Sequence, residues 1–401
     1  MKAVGQVLGF LVGGLGMLLI VWPVRLRRRV AGPHGRGRAF GRSLLGLLLI
    51  CLYYVAIIEV SVRVLRLFQG VPTGPSWHRV DDSYLFAFHP FRAMELRPGA
   101  VVEHGTAGHK SRSGESYVIN AHGCRGPELA DKASGRKRVI CAGGSSTFGV
   151  GLEEEDAWPA RLAAQNPDWS VLNAGVLGYT SPQVLAFAQG MLFDMEPDLL
   201  IVYLGRNDMH VNESLHPESF RSDYAHIHGL RRPYTGLSGW LVRHSWICLT
   251  LARWRSDVSS AMGKVMRGQG PPVTKMGPRG LAAFRRNIAD LVALAARRGV
   301  KVLLVSEAPG YLPLEMPDGS ENPHLFRLRA VAPNVPPEAY TRGLEAYADE
   351  LAAVGVPFLD LTRGFPRDPE LFVDEIHLSG KGGAELARRV SPLARDLLAA
   401  D

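Results

Sequence analysis

Cysteine is scarce in this chain, and what there is cannot act in concert. Four cysteines occur in 401 residues. Cys51 falls in an apolar segment, which leaves Cys124, Cys141 and Cys248, an odd number for a disulfide framework. There is no CxxC pair and no Cys/His cluster, so no zinc or other metal is expected. His104, His109 and His122 are irregularly spaced in a polar stretch and read as solvated loop histidines. Aromatic residues make up only 8% of the chain and do not interleave with a basic stripe, which speaks against a nucleic-acid partner. Neither a GxxxxGK[ST] loop nor a GxGxxG turn is present, so no nucleotide cofactor is expected. No internal repeat is found.

Positive charge is present but local. The formal net charge is +8, and Arg25, Arg27, Arg28, Arg29, Arg36, Arg38 and Arg42 account for most of it. They separate two apolar segments, Ala3 to Val24 and Ser43 to Ile58, the second continuing past Glu59 to Val62. About 20 apolar residues of helix cross a bilayer core. Residues 1–66 are therefore expected to form a transmembrane hairpin with the lipid bilayer as partner. A cleaved signal peptide is the alternative for the first segment, but only Lys2 precedes its apolar run and the positive cluster follows it. Basic loops stay in the cytoplasm. Both ends of the chain, and the large domain after position 70, are then expected on the periplasmic or extracellular side of a cell membrane.

Residues 67–137 are rich in Gly, Pro, Ser and His and read as a connector with a small β-rich lead-in. From 138 to 401 the rhythm is strand and helix in alternation. "RVICAGG", "SVLNAGV", "DLLIVYLG", "VKVLLVSEA" and "VPFLDL" are the strands. Helices are expected at Ala157–Ala164, Pro182–Phe193, Leu281–Arg298 and Pro337–Ala353, and at the end of the chain. Such alternation implies a parallel sheet with helices on both faces, an α/β three-layer sandwich. Insertions interrupt it at 209–277 and 309–335. Trp240, Trp246 and Trp254 in the first are expected to pack it on the core, in preference to lining a groove or resting on a membrane.

Ligands of such sheets bind at the carboxyl ends of the strands. The first strand ends in Gly143, Gly144, Ser145, Ser146 and Thr147, and the second in Gly175 and Gly178. Gly205, Arg206, Asn207 and Asp208 follow the third, and Asp374 and His377 follow the fifth. A serine hydroxyl needs a base to take its proton. Histidine serves near neutral pH, and a carboxylate fixes its tautomer. An oxyanion needs preorganised donors, which backbone N–H groups and an asparagine amide supply. Asp208 reads as a brace for its loop, and His210 as a surface residue with a possible substrate contact as the sharper alternative.

"GGSST", "NAGVLGYTS", "GRND" and "DEIH" occur in that order. Over residues 138 to 400 the sequence resembles the SGNH/GDSL hydrolase superfamily. The resemblance implies Ser145 as nucleophile, Asp374 and His377 as its partners, and an oxyanion hole from Ser145, Gly178 and Asn207. Gly144 stands where the superfamily often has Asp. Arg206 occupies a variable position, and with Gly144 and His210 it is a candidate substrate contact. A membrane-anchored serine esterase is implied, acting on acetyl or short-chain esters of a glycan, lipid or small molecule. An O-acyltransferase for an extracellular polysaccharide is the alternative, and a non-catalytic binding module the third reading. The chemistry requires neither metal nor organic cofactor.

Overall fold

A computed structural model describes residues 36–68, 85–89, 91–102, 116–215, 241, 245–248, 250–251, 254 and 280–400. The first apolar segment, Ala3–Val24, lies outside them, as do Trp240 and most of the first insertion. The described residues fall into two compact units, one within 1–77 and 234–259, the other within 78–233 and 260–401.

In the first unit, helix α1 spans Arg36–Phe68. Its stretch Leu45–Leu65 is 21 residues of apolar sequence, with Leu47, Leu48, Leu52, Ile58 and Leu65 exposed. At 1.5 Å per residue it measures about 31 Å.

The second unit begins with two short antiparallel pairs. β1 (Phe86–His89) pairs with β2 (Ala93–Leu96), and β3 (Val101–Val102) with β4 (Tyr117–Val118). The main sheet follows: β5 (Lys137–Gly143), α2 (Ser145–Phe148), α3 (Trp158–Gln165), β6 (Trp169–Gly175), α4 (Ser181–Gly190) and β7 (Leu199–Leu204). Next come α5 (Arg206–Met209), which runs into a π-turn at His210–Leu215, α6 (Leu281–Arg297) and β8 (Lys301–Ser306). α7 (Leu325–Val331), α8 (Pro337–Ala352), β9 (Phe358–Leu359), α9 (Leu361–Gly364) and α10 (Gly380–Ala399) complete it. The expected helices are present with ends shifted by a few residues. The second insertion, 309–335, carries α7.

All five main strands are parallel, in the order β6-β5-β7-β8-β9. β7 lies at the centre, and all six of its residues are buried. That explains its unbroken apolar sequence: a strand covered on both faces has no polar side. Successive side chains point to opposite faces. Ile140, Ala142, Leu200 and Val202 face a core filled by α4, α6 and α8. Val139, Cys141, Leu199 and Ile201 face Trp158 and Leu162 of α3 and Leu386 and Val390 of α10. The expected fifth strand shrinks to two paired residues, because β9 is an edge strand that touches β8 only at Phe358 and Leu359.

The lead-in is more than a connector. Leu85, Phe86, Met94, Leu96, Tyr117, Ile119 and Cys124 are buried in the same cluster as one face of the main sheet. All four cysteines are free thiols. Burial pushes the Cys124 thiol up to about 12 and Cys141 well above the usual thiol range, so neither supplies a thiolate at neutral pH.

Candidate active site

The chain leaves β5 for β6 on one side and returns to β7 on the other. The crevice of such a sheet opens where the strand order reverses, at the carboxyl end of β5. Ser145 stands there as the first residue of α2, half-exposed, with Ser146, Thr147 and Phe148 buried behind it. The first N–H groups of a helix have no intrahelical acceptor, so the Ser145 N–H is open to a ligand.

His377 reaches Ser145 from the far edge of the sheet, with Nε2 2.7 Å from the Ser145 Oγ. Its Nδ1 lies 2.9 Å from both carboxylate oxygens of Asp374. The loop carrying both residues is closed by an antiparallel bridge between Phe372 and Leu378 and by the Val373 N–H donating to the His377 carbonyl. Within it, Asp374 Oδ1 accepts the N–H groups of Ile376 (3.1 Å) and His377 (2.9 Å). A three-residue spacing lets one carboxylate hold both the backbone and the ring of His377. Burial opposes ionisation of Asp374, which is 4% exposed, but the bonds from His377 and Ile376 outweigh it and hold the carboxyl well below the usual range.

Asn207 comes from the start of α5, at the end of β7. Its Nδ2 donates to the Tyr179 carbonyl at 2.9 Å. A Cβ on Gly144 would sit 2.5 Å from that nitrogen, so glycine before the serine is what lets the Asn207 amide come this close. Gly178 has φ +73°, a left-handed turn after β6 that an L side chain strains to adopt. Ser145, His377 and Asp374 thus form one hydrogen-bonded chain, while Asn207 and Gly144 abut beside it.

The remaining sequence candidates take other places. The Arg206 guanidinium, 13% exposed, bonds the Tyr340 hydroxyl and Glu375, both at 3.1 Å, and the Arg206 backbone N–H donates to Glu307 at 2.6 Å. Its side chain is thus held by internal partners. Burial raises the Glu307 carboxyl above its usual range despite Arg206 and the nearby His377. Asp208 is fully buried and braces the start of α4, accepting the Ser181 N–H and hydroxyl. His210 is half-buried at the start of the π-turn.

Two lead-in residues that the sequence reading passed over also reach the site. Arg125, 1% exposed, donates from Nη1 to the carbonyls of Phe148 and Gly149, each at 2.7 Å, and from Nη2 to Leu152 at 2.6 Å. Those carbonyls lie just past the C-terminal end of the helix that Ser145 begins. The guanidinium lies over the rings of Tyr117 (4.7 Å) and Phe148 (4.9 Å), which meet edge to face. Arg92 Nη1 donates to the Tyr179 hydroxyl at 3.2 Å, and that hydroxyl donates to the Met94 carbonyl at 2.7 Å. The lead-in therefore holds both the serine helix and the residue that anchors Asn207.

A GDSL-like lipase/acylhydrolase family model matches residues 141–384, a span that contains Ser145, Gly178, Asn207, Asp374 and His377. Esterase TesA of Pseudomonas aeruginosa is 31% identical over 90 residues, covering 21% of this chain and 45% of that protein. This chain thus spans less than half the length of that relative. Among solved structures, a carbohydrate acetylesterase from Sinorhizobium meliloti aligns with TM-score 0.39 and 15% identity, over 65% of this chain and all of that one. A lipase/acylhydrolase from Enterococcus faecalis aligns with TM-score 0.37 and 15% identity, over 65% and 96%.

Proposed function

The chain belongs to the GDSL-like lipase/acylhydrolase family, and from that premise we propose that it is a serine esterase held at a membrane by its N-terminal helices. The carrying observation is the unbroken hydrogen-bond chain from Asp374 through His377 to Ser145. In this reading His377 Nε2 takes the Ser145 proton as Oγ attacks the ester carbonyl. The C=O π pair moves onto oxygen, and a tetrahedral intermediate forms. Asp374, kept ionised by its three partners, holds the ring proton on Nδ1 and stabilises the imidazolium. Collapse expels the alcohol, which takes its proton from Nε2. Water, deprotonated by the same nitrogen, then releases the acid and restores the serine.

The oxyanion is assigned to the N–H groups of Ser145 and Gly178 and to Asn207. A primary amide has two N–H donors. One Asn207 donor is spent on the Tyr179 carbonyl, which fixes the side chain, and the other remains for the substrate oxygen. Preorganised donors of this kind need no rearrangement as charge develops.

The anchor reading rests on α1, whose apolar stretch has the length of a bilayer core and is almost nowhere buried. Seven arginines precede that stretch, while only Arg63 and Arg66 lie at its other end. This asymmetry supports a cytoplasmic N-terminal side and an extracytoplasmic catalytic domain, residues 138–401, joined to the anchor, 1–66, through the 67–137 lead-in.

Intact-mass labelling of detergent-purified protein with a fluorophosphonate tests the assignment. One adduct is expected on the wild type and none on Ser145→Ala or His377→Ala, with aryl-ester hydrolysis lost in parallel. Labelling that survives in Ser145→Ala, or a folded wild type that neither labels nor hydrolyses, overturns it.

A further inference from the structure

We propose that the stretch of the insertion represented by residues 245–248, 250, 251 and 254 lies in the bilayer interface as a helix gripped by Glu59. The inference rests on the anchored reading of α1 given above.

Glu59 stands inside the apolar stretch Leu45–Leu65, six residues before its end, or about 9 Å along the helix axis. A carboxylate at such a place is costly unless its oxygens are satisfied. Here both are. Arg63, one turn on, donates to Oε1 from Nε (3.1 Å) and Nη2 (2.7 Å). The remaining donors come from the insertion: the Trp246 N–H to Oε1 at 2.9 Å, and the Ser245 hydroxyl (3.0 Å) and Ile247 N–H (3.3 Å) to Oε2. Residues 246–248, 250, 251 and 254 are helical. The N–H groups that Glu59 accepts therefore belong to the first turn of that stretch, where no intrahelical acceptor exists. Glu59 acts as a cap delivered by another helix.

This grip fixes the depth of the insertion, and the exposed side chains suit that depth. Trp246 is buried at 5% exposure. Ile247, Leu251 and Trp254, spaced by four and then three, share one helical face. Leu251 is 58% and Trp254 66% exposed. Tryptophan favours the membrane–water interface, and interfacial helices sink about 5–10 Å into it. The exposed leucines of α1 belong to the same compact unit, so the lipid that covers them is the occupant that fits this stripe. The expectation that these tryptophans pack the insertion on the catalytic core gives way to this arrangement for Trp254.

The test uses the full chain in phosphatidylcholine vesicles, with bromine on the lipid chains either near the headgroup or near the chain end. The emission lost in Trp254→Phe defines the Trp254 signal. That signal is expected to be quenched most by the shallow bromolipid, to be shielded from aqueous iodide, and to lose both properties in Glu59→Leu. Quenching by iodide with none from bromolipid, in protein that floats with the vesicles, overturns the proposal while leaving the anchor intact. Shielding from both quenchers means that protein, from the same chain or a second copy, covers Trp254, and also overturns it. Failure to float with vesicles removes the anchor reading itself.

Discussion

Asp374 and Glu307 are both buried carboxyls close to His377, and their surroundings tip them in opposite directions. Burial pushes both upward, but Asp374 has three hydrogen-bond donors within its own loop that outweigh the effect. Glu307 has the Arg206 N–H and guanidinium, and burial wins. The depressed Asp374 contributes stability above its usual value of 3.8, lost as the pH falls through its folded value. The raised Glu307 does the reverse: its contribution is whole below the usual glutamate value of 4.5 and is lost as the pH rises through the folded value. The windows do not overlap, so thermal melts can separate them. Glu307→Gln is expected to gain on the wild type in Tm as the pH is raised from 4.5 toward neutrality, with no such trend below it. The catalytic assignments predict kinetic effects of different size. Asp374→Asn should lower kcat by roughly three to four orders of magnitude, since an amide no longer fixes the ring proton on Nδ1. Asn207→Ala should lower it by about two to three, the cost of one oxyanion donor. Both are read from steady-state hydrolysis of an aryl ester, with circular dichroism as the check on folding.

Among elements, the four-residue helix α2 depends most on its neighbours, because it is too short to hold itself. Arg125 binds three carbonyls at its C-terminal end, and no other described side chain does as much for it. Arg125→Met keeps the bulk and removes the donors. It is expected to cost about 3–5 kcal/mol, as buried carbonyls are left unpaired. It should also slow fluorophosphonate labelling of Ser145 without changing KM for a small ester. Arg125→Lys, which can serve one carbonyl well, should fall between; a labelling rate equal to the wild type in Arg125→Met would remove the positioning role. The contrast with Ser145 shows what a sequence makes legible. The strand-end blocks are short and contiguous, and their side chains perform the chemistry, so residue type and order announce them. β5 and β7 announce themselves because both faces are covered. Arg125 acts on backbone carbonyls 23 to 27 positions away, which leave no mark in residue type. Its one visible signal was a charged residue framed by Gly123 (φ +71°) and Gly126 (φ +83°), a tight turn with more than a turn's composition. The lead-in reads as a connector with a small β-rich part, its contribution to the core unseen, for a related reason: strands of two to four residues are too short for periodicity to show which side chains are buried.

For the whole molecule, the boundary of the folding unit differs from the boundary of the family match. The match begins at residue 141, within β5. The compact unit that holds the main sheet begins at His78, and its core takes Leu85, Phe86, Met94, Leu96, Tyr117, Ile119 and Cys124 from the lead-in. A fully buried large apolar side chain contributes about 1.5–3 kcal/mol. Six such losses, with Cys124, Arg125 and Arg92 removed as well, rival the 5–15 kcal/mol by which a domain is typically stable. A chain starting at residue 137 is therefore expected to be insoluble or to melt without a cooperative transition. A chain starting at residue 78 should melt cooperatively and keep its aryl-ester turnover, since among the described residues neither core cluster reaches before Leu85. That longer truncation also removes Glu59 and with it the acceptor for the Ser245, Trp246 and Ile247 donors. Its exposed Leu251 and Trp254 would then face water without α1 beside them, so it should need detergent to stay monodisperse even though its membrane helices are gone. Size-exclusion chromatography with and without detergent reads this directly. A monodisperse, detergent-free 78–401 chain would show that the insertion covers its own apolar face, and the interfacial helix would lose its physical motive.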